Sequence, residues 1–293
     1  MATLTLLLPE LSRTEQTPQL ASWLARGDRL PSAEPGRDTA LRECFEFIGA
    51  ALPVAALTRS LDANDAAGAL WLRADPAYAM VDAATVRLMA CGNFGLEQVE
   101  SVELARALRP LFGDAGFPLD AVKPTGWYLR CPADARLPGF AAPGDVLGDD
   151  LMRHLPAGEN ERQWRRLFNE AQVILHNHPV NARRAQRGLM PANTLWFWGA
   201  GKLPDWVRAP YTRVATSDDV TIALARLAKI PVVEQKTAVA ELAADESVLI
   251  DAAAVPNLGS ARFKTINLRF ASGERVRYNS WHRWRFWRRE TSA

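Results

Sequence analysis

Side chains that bind anions and metal ions are concentrated in one stretch of the chain, Leu175–Pro204 (LHNHPVNARRAQRGLMPANTLWFWGAGKLP). Arginine offers a two-pronged donor to phosphate or carboxylate, and asparagine adds neutral donors and acceptors. Arg184, together with Asn181 and Asn193, is therefore a candidate anion-binding group. A solvated helix face, with its arginines in water, is the alternative interpretation of the same residues.

The two histidines of this stretch, His176 and His178, raise the question of a metal site. Their spacing puts two imidazoles on one face in a strand, whereas here they close a predicted helix just before Pro179. No Asp, Glu or Cys lies nearby in the sequence at ligand spacing. The sequence therefore predicts no metal centre, and it predicts contacts between a histidine and the last carbonyl groups of the helix.

The segment Gly199–Lys202 (GAGK) has the small residues of a phosphate-binding loop. A P-loop needs a glycine where Trp196 stands, and a dinucleotide fingerprint needs a small residue where Pro204 stands. The sequence therefore predicts no nucleotide loop. Gly199 and Gly201 serve either a tight turn or the close approach of backbone N–H groups to an anion, so both stay candidates for ligand binding.

Aromatic and basic residues alternate near the C-terminal end, in Trp281–Arg289 (WHRWRFWRR). From Arg262 to Arg289 there are nine Lys or Arg residues and one acidic residue, Glu274. Such interleaving binds single-stranded nucleic acid through stacking and phosphate contacts. It also fits an edge strand with tryptophans inward and arginines outward. We predict the edge strand, because the chain as a whole is close to neutral.

Apolar strands and amphipathic helices must position these groups. Strand and helix alternate with short connections in the second half of the chain, which favours a parallel sheet with flanking helices. We therefore predict an α/β fold, mostly parallel, as a single domain over residues 1–293 with a subsidiary lobe at about 60–150. The predicted elements include strands at Thr3–Leu8, Val54–Thr58 and Ser247–Asp251, a turn at Asp75-Pro76, helices at Asn160–Asn177 and Ala238–Ala244, and a C-terminal hairpin of Phe263–Phe270 and Arg275–Asn279.

The composition is that of an ordinary globular protein. Of 293 residues, 48% are hydrophobic and 23% charged, with a net charge of +2, which gives no argument for nucleic-acid or membrane binding. No apolar run approaches the roughly 20 residues of a membrane helix, and the first residues lack the pattern of a signal peptide. Three widely spaced cysteines fit a reducing cytoplasm. We expect a cytoplasmic protein without a cofactor.

Several segments together resemble a known group of proteins. Their order over nearly the whole chain resembles that of the RpfE-type regulatory proteins of bacteria. The central part, in which His-Pro-Val-Asn and Pro-Ala-Asn bracket a short helix, is more distantly similar to the archaeal-type, cofactor-independent phosphoglycerate mutases. The segments are LLLPEL (Leu6–Leu11), WLRADP (Trp71–Pro76), WYLRC (Trp127–Cys131), Leu155–Asn181, PANTLWFWGAGKLP (Pro191–Pro204) and RFWRR (Arg285–Arg289).

The mutase resemblance implies a core of the alkaline-phosphatase type. It implies two metal ions, an Asp-Gly after the first strand, a serine nucleophile, and later Asp-x-x-x-His and Asp-His elements; the metals neutralise phosphate and activate the nucleophile. Here the first strand runs into Pro9–Leu11, and no histidine follows Gly201 until His282. Asp150 and His154 have a suitable spacing but precede the central segment, which is the wrong order. We therefore expect a degenerate core that has lost metal-dependent phosphoryl transfer.

Three functions are compatible with these features. The first is a non-catalytic regulatory protein that binds a small anionic or phosphorylated metabolite or a protein partner. The second is a phosphomutase or phosphatase with a rearranged site, and the third is an interaction module that uses the basic-aromatic C-terminus. We predict the first, with no catalytic or metal-binding residue and with neither membrane nor nucleic acid as partner. The candidate ligand-binding residues are Arg73, Asp75, His178, Asn181, Arg184, Asn193, Gly199 and Gly201.

Overall fold

The chain divides into two compact units, each with a sheet of its own. The computed structural model describes residues 2–49, 51–82, 85–158, 162–234, 246–258 and 263–285. The first unit consists of Met1–Ala50 and Pro204–Ala293, and the second is the inserted segment Ala51–Leu203, which is longer than the predicted subsidiary lobe. The predicted helix Ala238–Ala244 lies outside the described residues.

The elements follow one another in three segments. The first segment carries β1 (Thr3–Leu8), α1 (Pro18–Arg26), β2 (Asp28–Leu30) and α2 (Arg37–Cys44). The inserted segment carries α3 (Val54–Asp62), β3 (Leu70–Asp82), β4 (Thr85–Cys91), α4 (Gln98–Asp114), β5 (Leu119–Lys123), β6 (Gly126–Cys131), α5 (Pro143–Val146), α6 (Arg162–His176), α7 (Pro179–Gln186) and β7 (Thr194–Lys202). The last segment carries β8 (Arg213–Ala215), α8 (Asp219–Leu227), β9 (Val232–Val233), β10 (Ser247–Asp251), β11 (Thr265–Phe270) and β12 (Arg275–Asn279), followed by a 3₁₀ helix, Ser280–Trp284.

The first unit, hereafter the parallel unit, has the strand order β2-β12-β11-β1-β10-β8-β9. The strands from β11 to β9 are parallel, whereas β12 and β2 are antiparallel at one edge. Strand β1 lies in the middle because its run TLTLLL is apolar enough for burial on both faces. Leu4, Leu6 and Leu8 pack with Trp23 and Phe270 in one core cluster.

The second unit, hereafter the antiparallel unit, is built around the long strand β3. One edge of β3 pairs with β7, and the other pairs first with β6 and then with β4, all antiparallel. The prediction of a mostly parallel sheet is therefore wrong for this unit. The predicted turn at Asp75-Pro76 is also wrong, because both residues lie within β3. Pro76 falls between the parts paired with β6 and β4, where a residue without an N–H is tolerated.

Helices cover this antiparallel sheet. Helix α6 buries its apolar stripe, in which Trp164 contacts Phe117, Phe140 and Phe197. The predicted strand Val54–Thr58 is wrong, because these residues begin helix α3. A short, fully buried apolar run has the same composition in either state, so its periodicity does not decide between them. No helix among the described residues is long and apolar enough to cross a membrane.

Candidate functional site

Polar side chains meet where two parallel strands of the parallel unit end. Ligands of open α/β sheets bind outside the carboxyl ends of the strands, and Asp251 is the last residue of β10. Its carboxylate accepts hydrogen bonds from both terminal nitrogens of Arg37, at 3.1 and 2.7 Å. It also accepts from the hydroxyls of Thr216, at 3.1 Å, and Thr221, at 2.7 Å. The Asp251 carboxylate therefore accepts four hydrogen bonds and is only 5% exposed.

Arg37 joins this carboxylate to a second one. Its guanidinium lies 3.1 Å from Asp218, which caps helix α8 by accepting from the Thr221 N–H at 2.9 Å. Burial lowers the pKa of Arg37, but the hydrogen bonds and charges of Asp251 and Asp218 raise it above its usual value. The arginine stays charged, with 43% of its side chain exposed. We call Arg37, Thr216, Asp218, Thr221 and Asp251 the strand-end cluster.

The end of β1 carries no comparable carboxylate pair. The half-buried Glu10 is paired with Arg13 at 3.1 Å. The Leu11 N–H donates to the Ser272 hydroxyl at 2.9 Å, and that hydroxyl donates to Glu274. Across the described parts of the chain, no three His, Cys, Asp or Glu residues form a group that could hold a metal ion.

The predicted ligand-binding residues all lie in the antiparallel unit, and the most deeply buried of them is Arg184. Its side chain is 0% exposed, and it is ion-paired with Glu100 at 2.5 Å. The nitrogen that pairs with Glu100, Nη1, also donates to the Gly95 carbonyl oxygen at 3.0 Å. Nε donates to the Met190 carbonyl at 2.8 Å, and Nη2 donates to the Phe94 carbonyl at 3.3 Å. Arg184 thus fastens α7 to the start of α4 and to the segment that enters β7.

The two asparagines hold the same entering segment. Asn181 donates to the carbonyl oxygens of Leu175, at 2.7 Å, and Ala192, at 3.0 Å, and accepts from the Ala192 N–H at 2.8 Å. Asn193 accepts from the Ala79 N–H and donates to the Ala79 carbonyl, both at 2.8 Å. Both amides therefore replace backbone pairing where β7 begins.

Arg73 and Asp75 form a buried ion pair on β3. The Arg73 Nε donates to both Asp75 oxygens, at 2.9 and 3.1 Å, and its terminal nitrogens reach Thr58, Tyr128 and the Thr125 carbonyl. Asp75 also accepts from the Trp198 indole N–H at 2.7 Å. Burial lowers the pKa of Arg73, but the charge of Asp75 raises it by more, so the pKa lies above its usual value. The pair is internally satisfied, as a buried ion pair must be.

His178 lies at a helix start, not at a helix end. It is the N-cap of α7, and its Nδ1 accepts from the Val180 N–H at 3.3 Å. The predicted contact with the carbonyl groups of the preceding helix is therefore wrong for this residue. The reason is Pro179, which ends one helical run and serves as the first residue of the next. Burial lowers the pKa of His178, which favours the neutral, accepting imidazole.

Gly199 and Gly201 lie within β7, so the tight turn that was one of their two alternatives is not formed. A Cβ atom at Gly201 would stand 2.4 Å from the Pro53 Cβ, and one at Gly199 would stand 2.8 Å from the Val54 Cβ. Gly199 also has a φ of 67°, a conformation that favours glycine. Both glycines let the start of α3 lie directly on β7.

The predicted set therefore divides into local groups whose polar atoms have intramolecular partners. Asn181, Arg184 and Asn193 meet at the start of β7, and Arg73 meets Asp75 on β3. Ligand binding by these residues stays a prediction. The strand-end cluster was missed, although Asp251 and Thr216 directly follow or end strands of the parallel sheet, which is the signal that marks such a position.

Comparisons with known proteins connect a part of the chain to phosphoglycerate mutases. No family model matches the chain. A probable 2,3-bisphosphoglycerate-independent phosphoglycerate mutase of Geobacter sulfurreducens is 44% identical over 62 residues, which is 21% of this chain and 16% of that protein. The mutase of Methanothrix thermoacetophila is 39% identical over 66 residues, 22% of this chain and 17% of that protein. The chain thus matches less than a fifth of these curated relatives, and the relation is distant.

Two solved structures also superpose on the chain, both with low scores. The cofactor-independent phosphoglycerate mutase of Thermoplasma acidophilum superposes with a TM-score of 0.43 at 17% identity, over 95% of this chain and 90% of that one. A protein of Pyrococcus horikoshii superposes with a TM-score of 0.42 at 16% identity, over 85% of this chain and 69% of that one.

Proposed function

We propose that the chain is a non-catalytic regulatory protein of the RpfE type on a scaffold distantly related to cofactor-independent phosphoglycerate mutases. One observation carries the proposal: in the strand-end cluster, the Asp251 carboxylate accepts hydrogen bonds from Arg37, Thr216 and Thr221. The carboxylate at this end of the parallel sheet is therefore bound by side chains of the protein itself.

The donor set of the cluster does not fit the two metal ions that the mutase resemblance implies. A divalent cation bound by Asp251 or Asp218 would lie beside the Arg37 guanidinium, and two like charges within about 4 Å repel each other. The guanidinium already supplies the positive charge that both carboxylates need. No step of phosphoryl transfer is therefore assigned to this cluster.

A regulatory protein responds to a signal, which here would be a bound ligand or partner. We propose that a small anionic or phosphorylated metabolite, or a protein partner, supplies it in the cytoplasm. The intramolecular bonds of Arg73 and Arg184 favour a structural role for these two arginines. Thermal-shift titration of the full chain with 2- and 3-phosphoglycerate tests the metabolite, and a flat melting temperature with every anion tried would remove it.

Turnover of 3-phosphoglycerate tests the non-catalytic part. The full chain is assayed with Mn²⁺, Zn²⁺ or Mg²⁺ beside an active mutase, and we expect no metal-dependent product above the protein-free background. Arg37→Ala removes the positive charge that lies between Asp218 and Asp251, whose threonine partners remain, and is expected to gain Mn²⁺ affinity in calorimetry. Arg42→Ala, five residues further along α2, leaves both carboxylates paired and is its control. Metal-dependent turnover by the unmodified chain would contradict the proposal.

A further inference from the structure

The 3₁₀ helix Ser280–Trp284 holds two tryptophans at the surface of the parallel unit. Trp281 is 56% exposed and Trp284 is 59% exposed. The predicted edge strand with inward tryptophans is therefore wrong for this part of the segment; residues 286–289 lie outside the described residues. Large aromatic side chains are normally mostly buried, so a pair at this exposure marks an interaction surface.

The backbone beneath the two indoles is anchored. His282, between them in the sequence, is 0% exposed, and its Nδ1 accepts from the Asn279 N–H at 3.3 Å. In a 3₁₀ helix, side chains three residues apart eclipse, and they are separated by about 6 Å along the axis. That separation is roughly twice the ~3.4 Å rise per base of a nucleic-acid strand. The anchored helix thus presents two aromatic side chains on one side.

Positive charge surrounds these indoles. The Arg285 guanidinium lies 4.6 Å from the centroid of the Trp281 ring, and that of Arg283 lies 5.0 Å from the Trp284 ring. Arg26 donates to the Arg283 carbonyl at 3.4 Å. We call Arg26, Trp281, Arg283, Trp284 and Arg285 the tryptophan–arginine patch.

The 3₁₀ helix has a lysine and an aspartate among its neighbours. The Lys264 carbonyl accepts from the Ser280 N–H at 3.0 Å, and the lysine is exposed. The acidic side chain among these contacts is Asp28, which is paired with Arg285 at 2.5 Å. Among these contacts of the described residues, cations therefore outnumber acids, which makes the surface complementary to a polyanion.

Contrary to the expectation from the near-neutral sequence, we propose that the tryptophan–arginine patch binds single-stranded nucleic acid. Bases stack on exposed aromatic rings whatever their sequence, and arginines supply both cation–π contacts and phosphate neutralisation. A membrane surface is a poorer fit, because interfacial helices insert a broad aliphatic face and the exposed residues here are two tryptophans, Ser280 and Arg283. The proposal uses neither the strand-end cluster nor any enzymatic activity, so it stands or falls independently of the function proposed above.

Fluorescence anisotropy with a labelled oligouridylate of about 12 nucleotides tests the proposal on the full chain. We expect saturable binding at low salt that the double change Trp281→Ala with Trp284→Ala weakens about tenfold or more, because each lost ring removes a stacking surface. Trp281→Phe with Trp284→Phe keeps an aromatic face and should retain affinity within about threefold. Circular dichroism of each variant verifies that the fold is retained.

Charge is tested separately from stacking. Arg283→Gln should reduce the slope of log affinity against log salt by about 0.7, the value for one phosphate contact on a single strand. Arg208→Gln is the matched control, because Arg208 also lies over an indole, that of Trp206 at 4.9 Å, in the same unit but outside the patch. It should leave the slope unchanged.

Three results would overturn the proposal. One is no oligonucleotide binding at low salt, and another is unchanged affinity in the double alanine variant. The third comes from co-sedimentation with phosphatidylglycerol vesicles: if the double alanine variant loses vesicle binding but keeps oligonucleotide affinity, the patch is a membrane surface.

Discussion

The two units use the same residue types in different ways. In the antiparallel unit, Arg184 and the Arg73–Asp75 pair lie inside the core with their polar atoms satisfied. In the parallel unit, Arg37 and Arg283 remain partly exposed at a strand end or on a 3₁₀ helix. A cluster of arginines and asparagines in a sequence therefore indicates polar interactions, and burial decides whether these hold the protein together or leave groups available to a partner.

Among the changes that test this difference between the units, removing Arg184 should lower the free energy of unfolding most. Arg184→Ala removes the buried cation beside Glu100, which keeps only the more distant Arg187 at 3.4 Å and the Glu97 N–H at 3.0 Å. It also frees the carbonyl oxygens of Phe94, Gly95 and Met190. Breaking a buried ion pair from one side typically costs about 3–5 kcal/mol. We expect a loss of unfolding free energy of this size, measured by urea denaturation.

Arg183, the preceding residue on α7, provides the control for that measurement. It is paired with Glu103 at 2.6 Å, but the two side chains are 50% and 41% exposed. Exposed ion pairs contribute little to stability, so Arg183→Ala should unfold close to the original midpoint. If the two variants have the same midpoint of urea unfolding, Arg184 contributes no more to stability than its exposed neighbour. Arg184 would then again be a candidate for ligand binding.

Substitution of Gly201 should have an intermediate effect. A methyl group there meets the Pro53 Cβ and Cα, at 2.4 and 2.9 Å, so strand β7 or the start of α3 must shift. Overpacking of this kind costs about 1–3 kcal/mol. Gly201→Ala is therefore expected to lower the midpoint of thermal unfolding, with the loss of free energy obtained by calorimetry.

Gly113→Ala, in the same unit, should have the opposite effect on stability, because there is room for the added methyl group. Gly113 lies in the last turn of helix α4, is exposed, and has no atom within 4 Å of an added Cβ. Alanine in the middle of a helix is favoured over glycine by roughly 0.5–1 kcal/mol, so this variant should be more stable by up to about that amount. An unchanged Gly201→Ala protein would show that the glycines of β7 serve something other than close packing.

Much of the fold could be predicted from local patterns. Strands β10 and β12 lie at the predicted residues, and α6 follows its apolar stripe, because alternation and helical spacing are properties of neighbouring residues. Helix α3 could not be assigned in this way, since its first residues are apolar in an unbroken run. The antiparallel arrangement around β3 depends on pairings across long separations, such as Trp71 with Gly201.

The candidate site was harder to predict than the fold. Arg37 and Asp251 are 214 residues apart, and only the tertiary structure joins them. The asparagines of the central stretch were recognised as a group, but their carbonyl and N–H partners are backbone atoms that a sequence pattern does not specify. Nor did charge alternation near the C-terminal end reveal that Trp281 is exposed.

The pH dependence of stability should show the smallest of the effects in the antiparallel unit. Burial holds the pKa of His178 below the usual 6.5, so the unfolded chain binds a proton more readily than the folded one, and stability falls as the pH drops below about 6.5. His178→Asn keeps an acceptor for the N-cap without a titrating group, and its stability should vary less between pH 8 and pH 5. The curve of the unmodified protein is measured beside it over the same pH range. If His178→Asn also follows that curve, the pH response arises elsewhere, and the N-cap imidazole does not sense protons at all.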